Sequence, residues 1–326
     1  MDFSLLVKSA LSKYPVDAKK TYLLRHNENY TVKVIGGDNR PYVLRIHLSN
    51  NNMQGIGQHS YEALDAEIKI LTAINQNTGI RTQTPVINNE GSAVSRLSSN
   101  GPDIYATLLN WVPGEPLDIK NKDYLSHVYK TGEMLAEFHN FSQGWNVGRS
   151  LKRPKFDNRY LDITFSNIKK ALGLGIMEQK HLDIINEAME YTKDILAELD
   201  GSLKDSWYGI AHCDVGNSNL IEHEGTITPI DFSLSCLNYF FFDLAGFISE
   251  LPGDKYIRAF LAGYRTKRQL PKEYLHYIEV FFVQSIFGFM AMHVLNTNMH
   301  DWFERRLNAV CYDYLIPMIN GERFLL

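Results

Sequence analysis

Three polar residues, Asp214, Asn219 and Asp231, stand at spacings suited to moving a phosphoryl group. Residues 208–211 and 226–230 are short runs rich in β-branched or aromatic side chains, and each reads as a strand that opens into a loop near a carboxylate. Asp214 follows the first run and Asp231 the second. Between them the turn at 222–225 folds residues 219–221 back against 227–230 as a hairpin, which is expected to bring all three polar groups to one end of a small sheet. An amide oxygen from Asn219 and a carboxylate from Asp231 suit Mg²⁺, which takes carboxylate, carbonyl and water oxygens and completes its shell with substrate phosphates. Asp214 is then left for the acceptor, to accept or orient the proton of an attacking hydroxyl while the cation offsets charge on the transferring group.

The series His212-x-Asp214-x4-Asn219, followed by Ile230-Asp231-Phe232, resembles the catalytic loop and metal motif of the aminoglycoside phosphotransferase, choline kinase and type II homoserine kinase group. Asp243-Leu244-Ala245 is similar to that group's DLA segment, which implies that Asp243, with His212, supports the catalytic loop. The resemblance implies an α+β, protein-kinase-like fold of two lobes, an N-terminal antiparallel sheet lobe (residues 1–112) and a larger, mainly helical C-terminal lobe (113–326). It further implies transfer of the γ-phosphate of ATP, with Mg²⁺, to a hydroxyl of a small molecule such as an aminoglycoside, an amino alcohol or a homoserine-like compound. Asp214 would be the catalytic residue, with Asn219 and Asp231 as metal ligands. An atypical protein Ser/Thr kinase is the alternative enzyme, but the short segment between Asp231 and Asp243 leaves little room for a peptide platform. A regulatory, nucleotide-binding pseudokinase is the non-enzymatic alternative, and the intact Asp214, Asn219 and Asp231 argue against it.

These residues need elements to position them. Residues 22–24, 30–35 and 42–46 read as strands, the last two joined through Gly36-Gly37-Asp38-Asn39. In the resembled group the first hairpin covers the nucleotide phosphates; residues 25–30 occupy that loop here, with Glu28-Asn29-Tyr30 as a loose match and Asn29 as a candidate nucleotide contact. Arg45 stands where many relatives carry a phosphate-binding lysine, and arginine can contact phosphate as a bidentate donor. Residues 61–74 repeat apolar side chains at three and four, hence a helix, and the resemblance implies that a carboxylate on it pairs with Arg45, with Glu67 beside the apolar stripe as the candidate and Glu62 and Asp65 as competitors. Runs at 85–87, 93–94 and 104–109 complete an antiparallel sheet, which Asn110-Trp111-Val112-Pro113-Gly114 breaks. By resemblance this is a hinge, and Leu109, Asn110 and Val112 are expected beside adenine. Helices follow at 122–141, 158–172, 180–199, 240–250, 255–266, 272–295 and 302–319. His139 falls on an apolar face and reads as a packed core histidine. The aromatics from Tyr239 to Phe242, with Tyr256, Tyr264, Phe287 and Trp302 beyond them, suit either the wall of a substrate pocket or cation cage, or, as is commoner for helical aromatics, the core.

Composition narrows the function classes. With 326 residues, 44% of them hydrophobic and 21% charged, the chain is of ordinary globular type. A net charge of −4 without a block of Lys or Arg gives no footprint for nucleic acid or an anionic membrane. Three cysteines without CxxC spacing suggest neither a disulfide framework nor a thiolate zinc site. The N-terminal stretch reads as an amphipathic helix rather than a signal peptide, and the apolar run 281–295 as a buried helix too short to span a bilayer. A cytoplasmic protein with a small-molecule partner, as monomer or homodimer, is expected. Gly55-Ile56-Gly57 and Gly173-Leu174-Gly175 lack the third glycine of a dinucleotide site, and no Gly-x-Ser-x-Gly or His-Glu-x-x-His occurs.

Overall fold

A computed structural model of the chain describes residues 2–26, 29–48, 59–97 and 103–326. Asn27, Glu28 and the Gly55-Ile56-Gly57 stretch lie outside the described residues. The first half of the chain runs through helix α1 (Phe3–Leu11), strands β1 (Ala18–His26), β2 (Asn29–Gly36) and β3 (Pro41–His47), helix α2 (Tyr61–Asn77), strands β4 (Val94–Leu97), β5 (Ile104–Asn110) and β6 (Glu115–Pro116), and helices α3 (Tyr124–Gly144) and α4 (Asn158–Ile168). There follow α5 (Lys170–Gly173), α6 (Gln179–Ser202), α7 (Lys204–Trp207), strands β7 (Tyr208–Ala211), β8 (Leu220–His223), β9 (Thr226–Pro229) and β10 (Cys236–Tyr239), and helices α8 (Phe241–Ile248), α9 (Asp254–Arg265), α10 (Tyr274–His293), α11 (His300–Ala309) and α12 (Ile316–Ile319). The class is α+β, as expected. Two compact units are formed: Met1–Pro116 with Ser150–Pro154 and Ser218–Leu234, and Leu117–Arg149 with Lys155–Asn217 and Ser235–Leu326. A single division after residue 112 does not foresee the two segments that return to the first unit.

In the first unit five strands pair antiparallel in the order β1-β2-β3-β5-β4. Val32, Val34, Leu44, Ile46, Ala106 and Leu108 alternate onto the face that α1 covers with Leu6, Val7, Ala10 and Leu11. The expected run at 85–87 makes only an isolated bridge, Pro85 with Leu109. Helix α2 starts at Ser60, whose hydroxyl caps the Ala63 amide at 3.2 Å. Its buried residues, Ala63, Leu64, Glu67, Ile70, Leu71 and Ile74, fall at helical spacing, so the one carboxylate among them is carried inward with the apolar stripe. The β8–β9 hairpin closes through Glu224 (φ 49°) and Gly225 (φ 77°), the left-handed pair that a two-residue turn of matching twist demands. Its partner β6 leaves no room for a side chain at Gly114 (φ 112°), where a Cβ would lie 2.2 Å from the Glu222 carbonyl oxygen.

In the second unit α3 and α9 cross closely because glycines face backbone. A Cβ on Gly132 would stand 2.2 Å from the Phe260 carbonyl oxygen, and one on Gly263 2.0 Å from that of Tyr129. Strands β7 and β10 pair antiparallel, Cys236 opposite Ala211. Tyr239, Phe240, Phe241, Tyr264 and Phe287 are buried, so these aromatics are core; Trp207 stacks on Phe241 at 4.4 Å. The apolar run expected to be too short belongs to the 20-residue α10, long and apolar enough to cross a membrane by length and composition, with half of that window buried within the chain. Glu279 on α10 is buried and accepts hydrogen bonds from the amides of Phe324 (2.8 Å) and Leu325 (3.1 Å), while Arg323 pairs with it at 3.1 Å.

The glycine crossing is testable. Gly132→Ala and Gly263→Ala are each expected to destabilise the fold by about 1–3 kcal/mol through overpacking, read as a lower urea midpoint; parental midpoints would refute the close α3–α9 contact.

Candidate active site

The first unit gathers a buried cation and its counter-charges. Arg45 sits on β3 with its side chain buried, and Nη1 donates to Glu67 Oε1 at 2.9 Å. Nη2 pairs with Asp231 Oδ1. Burial works against the guanidinium charge, but the carboxylates of Asp231 and Glu67 outweigh it and hold the pKa above its usual value. Asp231 itself lies in the left-handed region (φ 64°), and the Ser233 hydroxyl donates to its Oδ1 at 2.7 Å. Hairpin pairing fixes Asn219 beside it: Leu220 opposes Pro229, and the Asn219 carbonyl accepts from the Ile230 amide at 2.9 Å. Arg153 staples the surroundings, donating through Nη1 to the Ala63 carbonyl (3.0 Å) and through Nη2 to those of Phe232 (3.2 Å) and Ser233 (2.6 Å). Sequence reasoning missed Arg153 because a loop arginine whose partners are backbone carbonyls leaves no pattern.

Arg45, Asn219 and Asp231 line one cavity of about 360 Å³, within the range of small-ligand sites. Its apolar wall includes Leu24, Val43, Trp111, Val112, Ile221 and Ile230; Gln83 also faces it. Lys33 Nζ lies 4.1 Å over the Trp111 ring and steadies that wall. Among the residues expected at the nucleotide, Arg45 and Val112 line this cavity and Glu67 reaches it through Arg45. Leu109, Asn110 and Asn29 do not line it: Leu109 is buried opposite Val43, Asn110 turns its side chain to the Thr84 hydroxyl at 2.7 Å, and Asn29 opposes His47 at the start of β2. Among the described residues no group of three His, Cys, Asp or Glu side chains is arranged for a metal ion. The amide and carboxylate of Asn219 and Asp231 are the oxygen donors that Mg²⁺ takes together with water and phosphate, so this pair can hold that ion.

The second unit holds Asp214. After β7 the chain turns through Cys213 in the left-handed region (φ 63°). Asp243, buried in the first turn of α8, holds this turn: its Oδ2 accepts from the His212 amide (2.8 Å) and its Oδ1 from the Cys213 amide (2.7 Å). His212 Nδ1 in turn accepts from the Asp214 amide at 3.2 Å. Oδ2 of Asp243 also meets His139 Nε2 at 3.0 Å, and His139 Nδ1 lies 2.8 Å from the Tyr264 hydroxyl. Burial lowers the His139 pKa by more than Asp243 raises it, and Asp243 is held below its ordinary value because these donors outweigh its own burial. The pair is therefore neutral imidazole on carboxylate, with Nε2 donating and Nδ1 accepting from Tyr264. Asp214 is half-buried beyond this frame.

A family model described as the phosphotransferase enzyme family matches residues 22–275. No curated protein matches the chain. Among solved structures, the microcompartment-associated aminopropanol kinase superposes with a TM-score of 0.80 at 19% identity, covering 99% of this chain and 100% of that one. An amicoumacin kinase in complex with AMP-PNP, Ca²⁺ and Ami gives 0.76 at 17% identity, covering 99% and 95%. A choline kinase from Cryptosporidium parvum Iowa II gives 0.65 at 13% identity, covering 98% and 97%. At these identities the likeness is one of fold, and that fold is the protein-kinase-like one.

Because the folded His139 binds its proton less readily than the unfolded one, the unfolded chain takes up more protons below the ordinary histidine pKa of about 6.5. The stabilisation is fully present above that pH and is lost as pH falls toward the depressed folded value. Melting curves between pH 7.5 and 5.5 should show stability dropping on acidification, and His139→Gln, which cannot titrate, should flatten the drop. An equally steep drop in the variant would remove His139 as its source.

Proposed function

The chain belongs to the phosphotransferase enzyme family, and on that premise we propose that it moves the γ-phosphoryl group of ATP to the hydroxyl of an amine-bearing small molecule, in the cytoplasm. The observation that carries this reading is the shared cavity of Arg45, Asn219 and Asp231, with polar groups for phosphate beside an apolar wall for a planar base. Arg45, aimed by Glu67, presents guanidinium donors to phosphate oxygens. Asn219 and Asp231 would hold Mg²⁺, whose charge when bound offsets that of the phosphates. Val43, Ile221, Ile230 and Trp111 exclude water from the base. Asp214 orients the acceptor hydroxyl and takes its proton, and its loop is kept in place by Asp243 and His212. The named activities of the aminopropanol and choline kinases support an amino alcohol as acceptor, with aminoglycosides as the larger version of the same chemistry.

Nucleotide-coupled turnover with a panel of amino alcohols and aminoglycosides tests the reading. Asp214→Asn should keep ATP affinity and lower kcat by about a hundredfold to ten-thousandfold. Asp231→Ala and Asn219→Ala should lower Mg²⁺-dependent turnover while circular dichroism stays parental. Parental kcat in Asp214→Asn would remove Asp214 from the chemistry.

A further inference from the structure

An apolar wall can cover either purine, because bases differ along their edges and not on their faces. The hinge offers few groups to read an edge. The Asn110 amide donates to the Thr84 carbonyl (2.8 Å), the Trp111 amide donates to that of Pro41 (3.3 Å), and Pro113 has no N–H, which leaves the Val112 amide. The uncharged polar residues Thr31, Gln83, Ser218 and Asn219 line the same cavity, and of these Gln83 and Asn219 carry a carboxamide, with Asn219 already assigned to the cation. Gln83 is 8% exposed and lines it, and its carboxamide makes no hydrogen bond among the described residues. The neighbouring Thr82 is committed elsewhere, its hydroxyl and amide bound to Asn75 at 2.6 and 3.0 Å. A carboxamide presents its donor and acceptor side by side, where a ligand in the cavity can meet both.

We propose that Gln83 reads the edge of the nucleobase and selects adenine. This rests on the assignment of the cavity to ATP. Along its N6/N7 edge adenine shows a donor, the 6-amino group, beside an acceptor, N7, and the carboxamide matches both: Oε1 accepts from the amino group and Nε2 donates to N7. Guanine shows two acceptors there, O6 and N7, so Oε1 would face O6 with no proton between them. Rejection of a base that leaves the carboxamide unpaired follows from the same rule that makes polar recognition sites selective.

The test measures Kd of the full-length chain for ATP, GTP, purine riboside triphosphate (no 6-amino group) and 7-deaza-ATP (no N7), in parent, Gln83→Leu and Gln83→Met. The parent should bind ATP about tenfold or more tightly than the other three. Both variants should bind ATP, purine riboside triphosphate and 7-deaza-ATP within about threefold of one another, since the group that distinguishes these three is gone. Parental ranking in both variants would overturn the assignment of Gln83 while leaving the ATP site standing. A folded parent that binds none of the four would overturn the ATP reading, and this assignment with it.

Discussion

A buried positive charge dictates the geometry of the first unit. Arg45 is withdrawn from water, and a guanidinium there is tolerable only where carboxylates meet it with good geometry. Glu67 comes from α2 and Asp231 from the end of the β8–β9 hairpin, so three elements distant in sequence are held in one register by one side chain. The second unit solves the opposite problem around Asp243, a buried negative charge met by the His212 and Cys213 amides and by His139.

Both buried charges stand next to strained backbone. Asp231 and Cys213 occupy the left-handed region, which costs a residue with a side chain roughly 1–2 kcal/mol. Each is held there by bonds to neighbouring groups: Ser233 and Arg45 act on Asp231 itself, and Asp243 grips the amide of Cys213. Strain maintained in this way is typical of residues that must present a group in one direction.

What the sequence revealed and what it hid divide along a physical line. The Glu-Gly pair dictates the hairpin turn and His139 belongs to an apolar face, so both were legible from local pattern, whereas Glu67, carried inward with the α2 stripe, was a candidate by resemblance beside Glu62 and Asp65. Bonds from side chains to distant carbonyls obey no period. Arg153, the tie of Asn110 to Thr84 and the inward aim of Gln83 depend on which segments meet in space, and no window of sequence records that. The extent of α10, expected over 272–295, was legible as well, whereas the partners of its buried Glu279, the amides of Phe324 and Leu325, were not.

The returning segment 218–234 also bears on the order in which the molecule is made. During synthesis the five-stranded sheet leaves the ribosome early, yet Asp231, Ile221 and Ile230 follow only after residues 117–217 have been added. Until then Arg45 has Glu67 but lacks its second carboxylate, and the cavity has one wall. Closing so long a loop is entropically slow, and contacts of high sequence separation form late. The unit encoded first is thus completed only after much of the second has emerged, which leaves an exposed sheet for chaperones to shield in the interval.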